Sequence, residues 1–136
     1  MLGVKAMARI IVVDDDPAIR TIIAETLRGK GHDVMTADEG RIGLALARNA
    51  PVDLLITDLV MPGMEGMETI RRFHKEFPGV PIIAISGKGD LGNVLDTAIR
   101  LGAVKTLAKP FLIPELLALV EAVLPASPAA PPEGKP

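Results

Sequence analysis

RIIVVDDDP, residues 9–17, runs four β-branched residues into three consecutive aspartates and a proline. Ile10–Val13 reads as a short strand buried on both faces. Pro17 marks a helix start, because its fixed φ suits the first helical turn and its missing N–H is not needed there. Asp16, just before it, then reads as the helix N-cap. Asp14 and Asp15 are left at the strand end, where neighbouring carboxylates repel one another unless a cation offsets them.

The same strand-then-helix unit recurs along the chain. Leu54–Thr57 and Ile82–Ile85 are apolar runs of the same kind, and Val34–Ala37 and Val104–Ala108 are weaker ones. Apolar stripes at helical spacing lie between them: Ile19, Ile22, Ile23 and Leu27; Met67, Ile70, Phe73 and Phe77; Leu91, Val94, Leu95 and Ala98; Leu116, Leu117, Val120 and Leu124. The Ala-rich segment Leu44 to Ala47 gives the weakest helix. Five such units predict an α/β protein, a parallel sheet with helices on both faces.

Size and composition exclude several classes of function. A chain of 136 residues, 49% hydrophobic, holds one core and has no room for a second catalytic domain. Fifteen basic against seventeen acidic residues, with no basic block, argue against direct nucleic-acid binding. There is no cysteine for disulfides or thiolate metal sites, and no apolar run long enough to span a membrane. Met1 to Ala8 lack the apolar core of a signal peptide, so a cytoplasmic protein is expected. Residues 1–8 read as an N-terminal extension and 9–124 as the folded domain. Residues 125–136, PASPAAPPEGKP, with five prolines, read as a disordered tail.

In a parallel sheet ligands bind beyond the strands' carboxyl ends. Those ends carry Asp14 and Asp15, then Asp58, then Ser86, then Lys109. A divalent hard cation, Mg²⁺ or Mn²⁺, would relieve the repulsion among Asp14, Asp15 and Asp58 and leave open positions for a phosphate oxygen. Asp58, followed by the turn residues Pro62 and Gly63, is placed to accept a phosphoryl group covalently. Lys109 would offset charge on the phosphoryl oxygens and Ser86 would donate to one of them. Taken singly, Lys109 reads as a surface lysine and Ser86 as a helix N-cap; their convergence with the acidic residues favours a site.

IIVVDDDP, TDLVMPGMEG, the ISG at 85–87 and the KPF at 109–111, in this order, resemble the receiver domain of two-component response regulators over about Arg9 to Leu124. The resemblance implies a flavodoxin-like (βα)5 three-layer sandwich with strand order 2-1-3-4-5. It implies phosphorylation of Asp58 by a sensor histidine kinase or a phosphotransfer protein, and Mg²⁺ held by Asp15, Asp58 and the backbone carbonyl of Val60, with Asp14 acting through water. Ser86 takes the switch-hydroxyl position, Lys109 pairs with the phosphoryl group, and the Lys109–Pro110 bond is cis. The implied protein is a stand-alone switch, not a classical enzyme. It docks its kinase through the first helix and signals to a downstream effector through the fourth and fifth, with homodimer formation left open.

Thr106 departs from the family pattern, standing where a switching Tyr or Phe is usual, and Lys105 replaces a common acid. A receiver-like module that is never phosphorylated and only binds protein is therefore the alternative, against which the complete Asp14, Asp15, Asp58, Ser86 and Lys109 set argues. GKGDLG, residues 87–92, matches a dinucleotide fingerprint but follows the fourth strand instead of the first. A dehalogenase-type phosphohydrolase would need an acid where Val60 stands. His32 and His74 are isolated and read as surface residues.

Overall fold

The computed structural model describes residues 8–59, 65–87 and 92–124. Strands and helices alternate: β1 (Arg9–Val13), α1 (Pro17–Gly29), β2 (Asp33–Ala37), α2 (Gly40–Asn49), β3 (Leu54–Asp58), α3 (Glu65–Glu76), β4 (Ile82–Ser86), α4 (Gly92–Leu101), β5 (Lys105–Ala108) and α5 (Ile113–Val123). All strand pairs are parallel and the sheet order is β2-β1-β3-β4-β5, the expected flavodoxin-like arrangement.

The strands are apolar on both faces because each face carries its own layer of helices. Ile10, Val12, Leu54, Ile56, Ile83 and Ile85 point to one side, where Ile23 and Leu27 of α1 and Leu116 and Val120 of α5 close over them. The alternate residues Ile11, Val13, Leu55, Ile82 and Ala84 point to the other, under Leu44 of α2, Ile70 and Phe73 of α3 and Ala98 of α4. The two-residue side-chain period of a strand thus divides the core into two apolar clusters with the sheet backbone between them.

Four strands begin or end one residue beyond their apolar runs, at Arg9, Asp33, Asp58 and Ser86, because the ladder pairs backbone groups whatever the side chain. In the other direction, β5 starts at Lys105 and leaves Val104 half exposed at 49%. Ile22, read as part of the α1 stripe, is 46% exposed: the sheet is covered by Ile23, Ala24 and Leu27, and Ile22 lies on the helix flank. Ala8, assigned to the N-terminal extension, is buried in the core and its carbonyl accepts from Asp33. His32 is half-buried, and its Nδ1 accepts from the Ala8 N–H at 3.3 Å, so it is not the surface residue expected, whereas His74 is exposed. Leu91, Met1–Met7 and residues 125–136 lie outside the described residues.

Asp16 caps α1 as expected, its carboxylate accepting from Ala18 N at 2.9 Å and Ile19 N at 3.5 Å, with Pro17 opening the helix. Asp16→Ala is expected to lower the unfolding free energy by about 1 kcal/mol in urea titrations, since it strands those N–H groups at the helix start. Gly66 allows α3 to start hard against β3: a Cβ there would collide with the carbonyl oxygens of Asp58 and Leu59. Gly102, at φ 134°, turns the chain out of α4 in a conformation that favours glycine.

Candidate functional site

β1 and β3 are neighbours in the sheet, yet α1 leaves to one face and α2 and α3 lie on the other, which opens a crevice at the carboxyl ends of these strands. The backbone ladder runs past the strand ends there. Asp14 N donates to Ala37 O at 3.1 Å, Leu59 N to Ile85 O at 2.8 Å and Lys109 N to Ser86 O at 2.7 Å. These bonds extend the sheet's rigidity to the residues that follow β1, β3 and β5.

Asp14 and Asp58 are buried and Asp15 is exposed, and one carboxylate oxygen from each lies within 4.8 Å of the others. Lys109, its side chain 19% exposed, places Nζ 3.2 Å from Asp14 Oδ2 and 3.4 Å from Asp58 Oδ2. Lys109 is therefore a buried-edge cation between two carboxylates, not a solvated lysine. Burial works against its charge, but Asp58 and then Asp14 outweigh burial and raise its pKa above the ordinary 10.5. A raised lysine pKa means the pairing stabilises the fold below 10.5 and is lost as pH climbs through the raised value, so the ammonium is held through the neutral range.

Asp14 Oδ1 accepts from the Asp16 N–H at 2.9 Å. Asp14 Oδ2 is buried and, among the described residues, its one ion-pair partner is the Lys109 ammonium, in range at 3.2 Å without a hydrogen bond of good geometry. A buried carboxylate oxygen left in that state is costly unless a further positive group meets it. Three clustered carboxylates, one with an unmet oxygen, are the donor chemistry of a hard divalent cation, so these residues fit Mg²⁺.

Ser86 is buried at the end of β4 beside the site. It does not cap α4, which starts at Gly92. Thr106 is half-buried in the middle of β5 and Lys105 exposed at its start. Lys109–Pro110 is cis. Val60 lies outside the described residues, as do Lys88–Leu91 of the glycine-rich loop.

One contact was missed from the sequence. Arg20, one turn into α1, donates from Nη1 to the backbone carbonyl oxygen of Asp14 at 2.8 Å. Its spacing from the aspartates is compatible with such a bond, but nothing in the sequence distinguishes it from a solvated helix arginine.

Comparison with known proteins agrees with this geometry. The family model described as "Response regulator receiver domain" matches residues 10–121. The chain is 39% identical over 117 residues to the DNA-binding transcriptional regulator NtrC of Azospirillum brasilense, covering 86% of this chain and 24% of that protein. It is 37% identical over 116 residues to the DNA-binding response regulator MtrA of Mycolicibacterium smegmatis, covering 85% of this chain and 50% of that one. The chain thus spans a quarter to a half of these curated relatives. Among solved structures, chemotaxis protein CheY4 of Vibrio cholerae superposes with a TM-score of 0.81 at 33% identity, over 88% of this chain and all of that one.

Proposed function

Since this chain belongs to the response regulator receiver domain family, we propose that it is a phosphorylation-controlled switch in which Asp58 is the phosphoacceptor. The observation that carries this is Asp58 at the end of a fully buried strand, with Lys109 Nζ 3.4 Å away and Asp14 and Asp15 beside it. One carboxylate thereby has both an ammonium and two further carboxylates close to it.

In the proposed transfer an Asp58 carboxylate oxygen forms a bond to phosphorus as the phosphorus bond to the donor breaks, the donor being a phosphohistidine of a sensor histidine kinase or a phosphotransfer protein. Lys109 moves its pairing from the carboxylate to a phosphoryl oxygen, and the Ser86 hydroxyl donates to another. Asp15, Asp58 and the carbonyl of Val60 would hold Mg²⁺, or Mn²⁺ in its place, with Asp14 acting through water. When bound, the ion neutralises charge on the phosphoryl oxygens. Assistance to its own phosphorylation and dephosphorylation is the only catalysis this scheme contains.

The output is a change of partner binding in the cytoplasm. Exposed apolar side chains support the expected docking elements: Ile22 on α1, Ile99 on α4, Val104 before β5, and Leu112 and Ile113 at the start of α5. Thr106 is too small to swing a ring between buried and exposed positions, so the relay runs through the segment after Ser86 or through occupancy of the site itself.

Incubation with acetyl phosphate tests the proposal. One phosphoryl group should appear in the intact mass when Mg²⁺ is present and should be absent with excess EDTA. Beryllofluoride separates rapid turnover from absence of the site: a protein that gains no phosphoryl group and binds no beryllofluoride is a receiver fold that only binds protein.

A further inference from the structure

We propose that Arg20 is a positioning residue for the divalent-cation site, acting through the backbone and not through its charge. The inference rests on the proposed function above. Of the three clustered aspartates, Asp14 and Asp58 are buried and held by the ends of β1 and β3. Asp15 is exposed, and among the described residues nothing bonds its carboxylate. What aims it is therefore the backbone on either side.

On its amino side the Asp14 carbonyl and the Asp15 N–H belong to one planar peptide unit. The Arg20 guanidinium, half-buried, grips that unit by its carbonyl oxygen at 2.8 Å. On the other side Asp16 is tied twice: its N–H donates to Asp14 Oδ1 at 2.9 Å, and its carboxylate caps α1. Between these anchors Asp15 has little freedom. Without Arg20 the peptide plane before Asp15 loses its only side-chain anchor among the described residues, and the exposed carboxylate must be ordered when the ion binds. Groups that orient metal ligands in this indirect way typically account for ten- to a hundredfold in metal affinity.

Charge alone predicts the opposite sign. A guanidinium bonded to the backbone of the aspartate cluster repels a divalent cation held there, so removing it would tighten binding if its electrostatics dominated. The direction of the change therefore decides between the two roles. Arg28 supplies a matched control on the same helix: its Nη2 donates to the Val34 carbonyl at 2.8 Å, away from the aspartates.

The experiment is calorimetric titration of the phosphate-free protein with MgCl2, for wild type, Arg20→Ala, Arg20→Lys and Arg28→Ala, together with amide NMR spectra of the metal-free forms. Arg20→Ala should bind Mg²⁺ about tenfold to a hundredfold more weakly. Arg20→Lys should fall between it and wild type, and Arg28→Ala should match wild type. The Asp15 amide resonance should move in both Arg20 variants while that of Ile56, in the core of β3, stays in place. If Arg20→Ala does not fold, Arg20→Lys against Arg28→Ala carries the comparison. Mg²⁺ binding in the Arg20 variants equal to or tighter than wild type overturns the inference, as does equal weakening in Arg28→Ala, which would mean only that α1 had loosened. A wild-type protein that binds no Mg²⁺ overturns the site itself, a different failure from an intact site indifferent to Arg20.

Discussion

Asp58→Asn is expected to take up no phosphoryl group from acetyl phosphate and Mg²⁺, by intact mass, under conditions that modify the wild type. The substitution keeps the size of the side chain and removes its nucleophilic charge, and with it one of the three clustered carboxylates. The fold should be untouched, because the ladder bonds at the end of β3 come from the backbone. Lys109 keeps its partner Asp14 at 3.2 Å, and two buried carboxylates no longer share one ammonium. The thermal midpoint should accordingly equal or exceed that of wild type. Complete loss of the adduct from a folded protein assigns the acceptor; an adduct that persists would place it on another carboxylate.

Phe73→Ala is expected to have the largest effect on stability, a loss of about 3–5 kcal/mol in urea unfolding. Phe73 is fully buried on α3 at the centre of the cluster beneath α2, α3 and α4. Its ring centroid lies 4.9 Å from that of Phe77 in a tilted pair, so truncation removes both packing area and an aromatic contact. Against a typical domain stability of about 5–15 kcal/mol, a loss of this size leaves a markedly less stable protein. A loss below about 1 kcal/mol would mean that α3 can settle onto the sheet and fill the space.

The order of the elements was legible in the sequence because a strand buried on both faces has to be apolar throughout, which separates it from the half-polar helices around it. The convergence of Asp14, Asp58 and Lys109 was legible for the same reason: charges that end buried runs must emerge at one edge of a parallel sheet. The Asp16 cap followed from a single dipeptide. Ile22 misled because helical spacing identifies a stripe but not where the sheet beneath it stops. His32 and Arg20 were hidden for another reason. Each bonds a backbone atom, of Ala8 and of Asp14, and a backbone acceptor or donor has no signature in the residue that carries it.

The division of the apolar interior into two clusters has a consequence for how such a protein can change. The cluster under α1 and α5 and the cluster under α2, α3 and α4 have none of the described residues in common. Substitutions that are well separated and have no common partners combine almost additively. A loss taken under Leu116 should therefore not deepen one taken under Phe73, and a gain on either side can offset a loss on the other. Each helical layer is free to drift, or to be redesigned, at its own pace. The carboxyl edge of the sheet, where both layers meet Asp14, Asp58 and Lys109, is where that independence ends.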